Sequence, residues 1–387
     1  MPDDQRPYDI VLFGATGFTG ALTAQYLAHN TDPGCRWALA GRNPAKLKAV
    51  AERIGRPDLP LLHADATDPA SLAEIARQAR VVATTVGPYV SHGEPLVAAC
   101  AAAGTHYADI TGEPEFVDLM FARHHEQARR TGAKLVHACG FDSIPHDLGA
   151  YFTVKHLPEG VPIEVDGFVR ANGKPSGGTL HSALMAVSRS RQTAEAARAR
   201  REVESRPTGR QARGSAGTLR YVGGWALPLP TLDPQIVGRS ARALERYGPD
   251  FTYRHHIAVR RLPAALALAA GVGALVALAQ IPPARSRLLG RITSGDGPTP
   301  EQRAAGWFKI TFLGRGGGER VVTEVAGGDP GYDETAKMLA ESALCLAFDD
   351  LPPVSGQVTT ATAMGDALID RLRRAGITFR VRSDSRK

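Results

Sequence analysis

The chain has 387 residues, of which 43% are hydrophobic and 22% are charged. A chain of this length is usually divided among two or three domains, each with its own hydrophobic core. The composition is that of an ordinary soluble globular protein. The four cysteines are far apart and form no C-x-x-C pair, which argues against a disulfide framework or a thiolate zinc site and favours a reducing, cytoplasmic location. The polar, acidic start of the sequence carries no signal-peptide pattern.

The net charge of +7 is concentrated in two stretches. Residues 189–220 hold nine arginines and three glutamates, and residues 371–387 hold seven basic residues and one aspartate. Such a surplus suits a phosphorylated ligand, an acidic carrier protein or an anionic membrane surface, although a solvated arginine-rich face is an equally open alternative. Without zinc-finger spacing, an aromatic RNA-binding run or a basic heptad helix, no nucleic-acid partner is expected.

Residues 10–20, IVLFGATGFTG, predict a buried strand, a glycine turn and the start of a helix. The first glycine allows the sharp turn, the second lets a pyrophosphate approach the backbone, and the third lets the helix pack close to the sheet. The helix N-terminus then offers free N–H groups and a positive dipole end to phosphate. The predicted nucleotide-phosphate site consists of Gly14, Thr16, Gly17, Phe18, Thr19 and Gly20.

The end of the second predicted strand, at residues 37–40, indicates which dinucleotide would bind. An NAD site usually has an acidic residue here that holds the ribose 2′-hydroxyl, but this chain has Arg42. A cation at this point suits the 2′-phosphate of NADP, so NADP is the predicted cofactor. The third strand, at 59–63, leads to Asp65, which we place beside the adenine.

The fourth predicted strand, at 81–84, leads into a loop at the expected ligand-binding edge of the sheet. Val86, Gly87 and Pro88 would shape the backbone beside the nicotinamide ribose, and Tyr89 and His92 are the nearest ionisable side chains. Two further strands at 106–110 and 134–138 bring the number to six, alternating with helices. This alternation predicts an α/β fold with a Rossmann-type doubly wound parallel sheet, covering residues 1–155 as an NADP-binding domain.

One apparent motif near the end of this domain has two interpretations. Tyr151 and Lys155 form a Y-x-x-x-K pair on one helix face, as in many short-chain reductases. However, Ser143 lies only eight residues before the tyrosine, where it is better placed as a helix N-cap than as a substrate-polarising serine. We therefore interpret Tyr151 as a packing residue.

Beyond residue 155 the pattern predicts a smaller α+β domain over residues 156–330, for substrate binding or dimerisation. Its predicted strands lie at 163–170, 250–259, 307–313 and 320–325, with a helix at 178–191. The arginine-rich run up to residue 220 has poor periodicity and is interpreted as a mobile loop. Two helices within 331–387, at 332–348 and 363–375, are expected to dock back on the core.

Residues 262–283, LPAALALAAGVGALVALAQIPP, form an uncharged segment. The part between its prolines, 264–279, would reach about 24 Å as a helix, short of a hydrocarbon core of about 30 Å. We expect a helix that contacts a membrane surface or walls an acyl chain. A buried interface helix is the second interpretation, which leaves a homodimer open, and a true membrane span is the third.

Several stretches of the chain resemble the saccharopine dehydrogenase-like oxidoreductases, most closely the branch called trans-acting enoyl reductases. The stretches are GATGFTG (14–20), LAGRNPAKL (39–47), TTVGPYVSHGEPLVAACAAAGTHYADITGE (84–113), HACGFDSIPHDLG (137–149), GDPGYDETAKMLAESALCLAFD (328–349) and TATAMGDALIDRLRRAGI (360–377). The resemblance implies NADP-dependent reduction of an α,β-unsaturated thioester of a polyketide or lipid chain on a carrier protein, with a polyketide synthase as partner.

Such a reaction needs a hydrogen-bond or proton donor near the cleft between the domains. The candidate catalytic residues are Tyr89, His92 and Asp142, with His146 and His181 as further donors. No H-E-x-x-H, G-x-S-x-G or triad pattern is visible, so no metal or hydrolase site is predicted. Two alternatives remain: a non-catalytic NADP-binding sensor or membrane-docked adaptor, and a reductase of a ketone or imine.

Overall fold

The computed structural model describes residues 6–172, 188–205, 209–221, 224–281, 283 and 297–382. The candidate donor His181 and most of the predicted helix 178–191 lie outside these residues. The described chain forms two sheets, one of seven strands and one of eight. A buried apolar cluster runs through both halves, from Ile10 and Leu12 to Phe312 and Val325.

The first sheet is parallel throughout and has helices on both faces, as the sequence predicts. Its strands are β1 (Tyr8–Phe13), β2 (Trp37–Gly41), β3 (Leu61–His63), β4 (Ala79–Thr84), β5 (His106–Asp109), β6 (Lys134–Val136) and β14 (Gly356–Val358). Its helices are α1 (Phe18–Asn30), α2 (Pro44–Arg53), α3 (Pro69–Gln78), α4 (Tyr89–His92), α5 (Glu94–Ala103), α6 (Pro114–Thr131) and α7 (Ile144–Val154).

The strand order is β14-β6-β5-β4-β1-β2-β3. The chain builds the sheet outward in one direction from β1 and then in the other direction from β4, so the switch in strand order lies between β1 and β4. This order confirms the doubly wound Rossmann-type fold class, and it places the carboxyl ends of β1 and β4 side by side. The sheet has seven strands rather than the six expected from residues 1–155, because β14 returns from near the C-terminus and pairs with β6.

The second sheet is mixed and belongs to the α+β part of the fold. Its strands are β7 (Ile163–Asn172), β8 (Gln211–Ser215), β9 (Arg220–Tyr221), β10 (Trp225–Pro228), β11 (Asp250–Val259), β12 (Trp307–Gly316), β13 (Glu319–Gly327) and β15 (Thr378–Val381). The helices of the second half are α8 (Ser190–Val203), α9 (Asp233–Ala243), α10 (Leu262–Gln280), α11 (Pro300–Ala304), α12 (Asp333–Phe348), α13 (Thr360–Ala363) and α14 (Gly365–Arg374).

The interpretation of the arginine-rich run as a loop is wrong for residues 190–203 and 211–215, which form α8 and β8. The helix packs on α6, where Arg200 is buried with its guanidinium over the ring of Phe121 and is paired with Glu204. Burial of a paired arginine replaces the apolar stripe that periodicity analysis looks for, so the sequence pattern conceals the helix.

The apolar helix α10 is longer than the span between prolines suggests. It begins at Leu262, because Pro263 is accommodated in the first turn, and it runs for 19 residues, or about 28 Å. By length and composition it is the one helix of the described chain that could cross a membrane, with a mean hydropathy of 2.2. Only 12% of its most apolar window is buried, so it is not a core helix of this chain.

Candidate functional site

The glycine turn between β1 and α1 is close-packed at its first and third glycines. Gly14 has a φ of +95°, and a Cβ atom there would lie 2.8 Å from both Thr85 Oγ1 and Val86 Cγ2. A Cβ on Gly20 would lie 2.2 Å from the carbonyl oxygen of Gly14. Gly17 has more room, since its nearest neighbour would be the same oxygen at 3.5 Å. Gly14 and Gly20 therefore close the turn, and Gly17 leaves its outer face open.

The N-terminus of α1 is suited to an anion. Gly17 is the N-cap residue and no side chain bonds the first amides of the helix. Thr16 and Gly17 are exposed, and Thr19 is half-buried. Free N–H groups at the positive end of a helix dipole bind phosphate. The ring of Phe18 packs against Tyr332, with 4.8 Å between ring centroids, so its backbone is the part left for a ligand.

Arg42 and Asp65 lie together at the ends of β2 and β3. Arg42 is exposed, and no hydrogen bond holds its guanidinium in the part of the chain that the structure describes. Asp65 accepts hydrogen bonds from the backbone N–H and the hydroxyl of Thr67, and these bonds, with the charge of Arg42, lower the pKa of its carboxyl. The arginine is thus available at the position predicted for a 2′-phosphate.

The loop after β4 is held from below by a glutamate that the sequence analysis did not assign to the site. Val86 and Pro88 are half-buried and Gly87 is exposed, with a cis peptide bond between the last two. The buried carboxylate of Glu113 accepts the backbone N–H groups of Tyr89 at 3.1 Å and of Val90 at 2.7 Å. A carboxylate at the start of α4 fixes the loop, so Glu113 positions the predicted nicotinamide end of the site.

Tyr89 does not face the cleft, contrary to the expectation for a proton donor. It is 5% exposed, and its hydroxyl donates to the carbonyl oxygen of Thr84 at 3.1 Å and accepts the N–H of Ile110 at 3.3 Å. Burial also raises its pKa. Its hydroxyl therefore ties the ends of β4 and β5 together and is not free to protonate a substrate. His92 is exposed at the end of α4.

A second buried carboxylate organises the ends of β5 and β6. Asp109 accepts the ring N–H of His137 Nδ1 at 2.6 Å and the hydroxyl of Tyr107 at 2.8 Å through one oxygen, and the N–H groups of Thr111 and Ala138 through the other. Ala138 has a φ of +60°, in the left-handed region that non-glycine residues seldom adopt. The sequence analysis missed this arrangement because its members are far apart along the chain.

Asp142 is the catalytic candidate whose position suits acid chemistry best. It follows β6, it is half-buried, and a side chain on Gly112 would contact its carboxylate, with 3.4 Å from the added Cβ to Oδ2. Burial raises the pKa of Asp142 to about 6. About half of this carboxyl is therefore protonated at pH 6 and about a tenth at pH 7, against about a thousandth for an ordinary aspartate. The other donor candidate on the described chain, His146, is buried against Asp233, with 3.3 Å between Nε2 and Oδ1.

The Y-x-x-x-K pair has a structural role. The hydroxyl of Tyr151 donates to Asp366 at 3.4 Å and the amine of Lys155 binds both oxygens of the same carboxylate at 2.6 Å. Both side chains thus anchor α14 to α7, which agrees with the packing interpretation. Ser143 is the N-cap residue of α7 as predicted, although its hydroxyl makes no capping bond to the helix.

A cavity of about 260 Å³ lies apart from the glycine turn, among α6, α8, α9 and β14. Four arginines line it: Arg129, Arg200, Arg239 and Arg242. Beneath them the buried carboxylate of Asp118 pairs with Arg239 and lies 3.6 Å from Arg200. Asp118 thus stabilises two buried arginines, Arg200 of α8 and Arg239 of α9, in the interior.

Comparison with known proteins identifies the family of this chain. Residues 10–136 match the family model described as the saccharopine dehydrogenase NADP-binding domain. A Mycobacterium tuberculosis protein, provisionally named a trans-acting enoyl reductase, is 39% identical to this chain, with 98% of each chain covered. The chain belongs to the trans-acting enoyl reductase family. The trans-acting enoyl reductase of Mycobacterium ulcerans is 38% identical over 97% of this chain and 98% of that protein.

The family resemblance noted in the sequence is thereby confirmed, and solved structures agree with it at the level of fold. Apo saccharopine dehydrogenase (L-glutamate-forming) from Saccharomyces cerevisiae superposes with a TM-score of 0.56 at 12% identity, covering 97% of this chain and 99% of that chain. As a member of the trans-acting enoyl reductase family with a saccharopine dehydrogenase-type NADP-binding domain, this protein is an NADP-dependent oxidoreductase.

The residues at the edge of the first sheet fit NADP. The uncapped N-terminus of α1 and the open face at Gly17 would hold the pyrophosphate, and Arg42 would hold the 2′-phosphate. Asp65 would lie on the adenine side. Val86, Gly87 and Pro88 would line the nicotinamide end, where the bound cofactor supplies a hydride. Each of these assignments to an individual residue stays a prediction.

Proposed function

We propose that this protein reduces the carbon–carbon double bond of an α,β-unsaturated acyl thioester, held on a carrier protein of a polyketide or lipid synthase. The observation that carries the proposal is the full-length similarity to proteins named trans-acting enoyl reductase. The uncapped N-terminus of α1, where the cofactor phosphates are predicted to bind, and a carboxyl with a raised pKa in the loop after β6 of the same sheet support it.

In the proposed reaction, the β-carbon of the substrate accepts a hydride and the electron pair of the double bond moves onto the thioester oxygen. The resulting enolate then takes one proton at its α-carbon, which completes the addition of two hydrogens. Asp142 provides that proton, since burial raises its pKa to about 6 and it lies in the turn between β6 and α7. Glu113 and Asp109 act one layer behind, by holding the loops that line the site.

The reaction is tested by following NADPH oxidation with a panel of 2-enoyl thioesters of pantetheine of increasing chain length. We expect turnover with at least one enoyl thioester and a rate at least about tenfold lower with matched ketone and imine substrates. NADPH oxidation with only the ketone or the imine would instead identify the protein as a reductase of that substrate class. Bound NADPH that no substrate consumes would support the non-catalytic sensor.

Cofactor choice is tested in the same assay with Arg42→Ala. Loss of a charge-assisted contact to the 2′-phosphate should weaken NADPH binding by about 10–100-fold and change NADH binding by less than about threefold. The control is Arg53→Ala, an exposed arginine at the far end of α2, which should change neither. Equal losses for both cofactors in Arg42→Ala would contradict the assignment of this residue.

We also propose that the protein works at the cytoplasmic surface of a membrane, attached through α10. This helix is apolar on all sides yet largely exposed; its exposed side chains include Leu266 at 62% and Val272 at 50%. A helix that is apolar all round needs an apolar environment, and here the described chain does not provide one. The basic pair Arg260 and Arg261 precedes the helix and suits anionic headgroups.

Flotation of the full chain with phosphatidylcholine–phosphatidylglycerol vesicles tests this attachment. Wild type should float, and the double variant Leu266→Lys with Val272→Lys should stay in the soluble fraction with unchanged NADPH oxidation of a short enoyl thioester. A wild-type protein that never floats but forms a dimer, which the double variant disrupts, would replace the membrane with a second copy of the chain as the covering of α10.

A further inference from the structure

Three buried side chains that the proposed reaction does not use converge between the two halves of the fold. They are His146 in the first turn of α7, Asp233 at the start of α9 and His255 in β11, exposed by only 2%, 3% and 0%. One nitrogen or oxygen atom from each lies within 4.8 Å of the other two. The group joins the helix that follows the first sheet to two elements of the second half.

Hydrogen bonds within the described chain leave this group unsatisfied. Nε2 of His255 lies 3.7 Å from Asp233 Oδ2, too far for a hydrogen bond. Nε2 of His255 and Oδ1 of Asp233 are both buried without a hydrogen-bond partner among the described residues. A buried polar atom without a hydrogen-bond partner is costly, so these two atoms indicate a ligand that the described residues do not supply.

We propose that His146, Asp233 and His255 bind one divalent transition-metal ion of the zinc class. Two imidazoles and a carboxylate are ligands that zinc prefers. Ligands about 2.1 Å from a tetrahedral ion lie about 3.4 Å apart. The measured separations are 3.3 Å from His146 Nε2 to Asp233 Oδ1 and 3.7 Å from His255 Nε2 to the other oxygen, Oδ2, close to this value. One ligand atom from each of the three residues lies within 4.8 Å of the others, so a small contraction would complete the site.

The surrounding residues orient the ligands as metal sites require. The hydroxyl of Tyr253 lies 2.9 Å from His255 Nδ1. When this nitrogen carries the proton and donates to the tyrosine, Nε2 presents its lone pair to the centre of the group. The hydroxyl of Thr231 donates to Asp233 Oδ2 and fixes the carboxylate in turn.

The ion would join elements of the two halves of the fold, with three protein ligands and a fourth position left for water. Its ligands come from α7, α9 and β11, so it would hold the end of the NADP-binding half against the second half. The scattered positions 146, 233 and 255 show no motif spacing, which is why the sequence predicts no metal site. The inference is independent of the enoyl reductase proposal, because it concerns stoichiometric metal and stability rather than turnover.

The first test measures metal content. Tag-free full-length protein is incubated with zinc chloride, freed of loose ions by gel filtration and analysed by inductively coupled plasma mass spectrometry. We expect one zinc per chain, a melting temperature raised by at least about 3 °C over the chelator-treated protein, and imidazole ligands in the zinc X-ray absorption spectrum. Fewer than about 0.1 zinc per chain, with no change in melting temperature, would overturn the proposal.

The second test uses variants. Asp233→Asn and His255→Gln should lose the zinc, and Tyr253→Phe should keep it with affinity reduced about 10–100-fold, because it removes only the orienting bond. His256→Gln is the matched control: it alters the adjacent histidine of the same strand, whose ring stacks on Phe168, and should retain one zinc. An Asp233→Asn protein that holds as much zinc as wild type would refute the site. If Asp233→Asn does not fold, the zinc affinities of Tyr253→Phe and His256→Gln are compared. An affinity at least about tenfold lower in Tyr253→Phe supports the site, and equal affinities refute it.

Discussion

The glycine turn allows the packing of the chain to be separated from its contact with the cofactor by two neighbouring substitutions. In Gly20→Ala the new Cβ would lie 2.2 Å from the carbonyl oxygen of Gly14 and 2.7 Å from Thr85 Oγ1. The helix and the turn would have to separate by roughly 1 Å, and the obstructing atom belongs to the backbone, which cannot rotate away. We expect a loss of about 1–3 kcal/mol in the free energy of unfolding.

Gly17→Ala provides the matched comparison. Its Cβ would meet the same oxygen at an ordinary contact distance of 3.5 Å, and the φ of −77° at Gly17 suits alanine. The free energy of unfolding without cofactor should therefore change by less than about 1 kcal/mol. A methyl group on the face that the pyrophosphate approaches should nevertheless reduce NADPH affinity at least tenfold, or about 1.4 kcal/mol.

Urea denaturation of the apo-protein and NADPH titration by fluorescence measure the two quantities separately. The expected result is that Gly20→Ala fails mainly in the first assay and Gly17→Ala only in the second. A Gly17→Ala protein that binds NADPH like wild type would show that the pyrophosphate does not pass this turn. A Gly20→Ala protein as stable as wild type would refute the steric argument.

Three further substitutions test other parts of the structure. Asp142→Asn should abolish the acid step, and with it the fall in rate as pH rises through about 6. The raised pKa means that the folded state binds this proton more tightly than the unfolded state does, so wild type loses stability as pH rises from about 4 to 6. In urea titrations at pH 7 the variant should therefore be the more stable protein. Tyr89→Phe should retain the enoyl reduction rate within about threefold but lose about 1 kcal/mol of stability, since its hydroxyl joins two backbone groups; a rate loss of a hundredfold would restore it as a candidate. Asp118→Ala should cost about 3–5 kcal/mol in urea denaturation, because Arg239 would keep a buried charge without its carboxylate partner, whereas Arg200 would keep Glu204; a smaller loss would mean that water reaches Arg239.

The NADP-binding half of the fold could be predicted, because the sequence patterns that indicate it involve residues close together in the chain. The glycine turn, Arg42 and the loop at Gly87 each follow a strand within a few residues, so strand periodicity and turn chemistry place them at one sheet edge. The NADP-binding fold and the family were therefore accessible from the sequence. The length of α10 was underestimated only because Pro263 was treated as a boundary, whereas a first-turn proline costs no helical hydrogen bond.

The parts that could not be predicted depend on contacts between distant residues. Glu113 holds Tyr89 across 24 positions, and Asp109 holds His137 across 28. Nothing near Tyr89 in the chain shows that its hydroxyl is used by Thr84 and Ile110. The helix α8 was missed for the same reason, since its stability comes from a charge network with α6 rather than from an apolar stripe. Composition and periodicity describe neighbours in sequence, and these interactions are between neighbours in space.

The C-terminal segment shows how the two halves determine each other. After α12, β14 completes the first sheet by pairing with β6, and β15 then pairs with β13 of the second sheet. Between them, Arg371 of α14 joins Asp349 at 2.6 Å and Glu341 of α12 at 3.4 Å, and Glu341 accepts the hydroxyl of Tyr26 in α1 at 2.6 Å. One segment thus pairs with both sheets and bonds to the helix that begins at the glycine turn. These contacts resist a wide hinge motion between the halves, because such a motion would have to break or bend them.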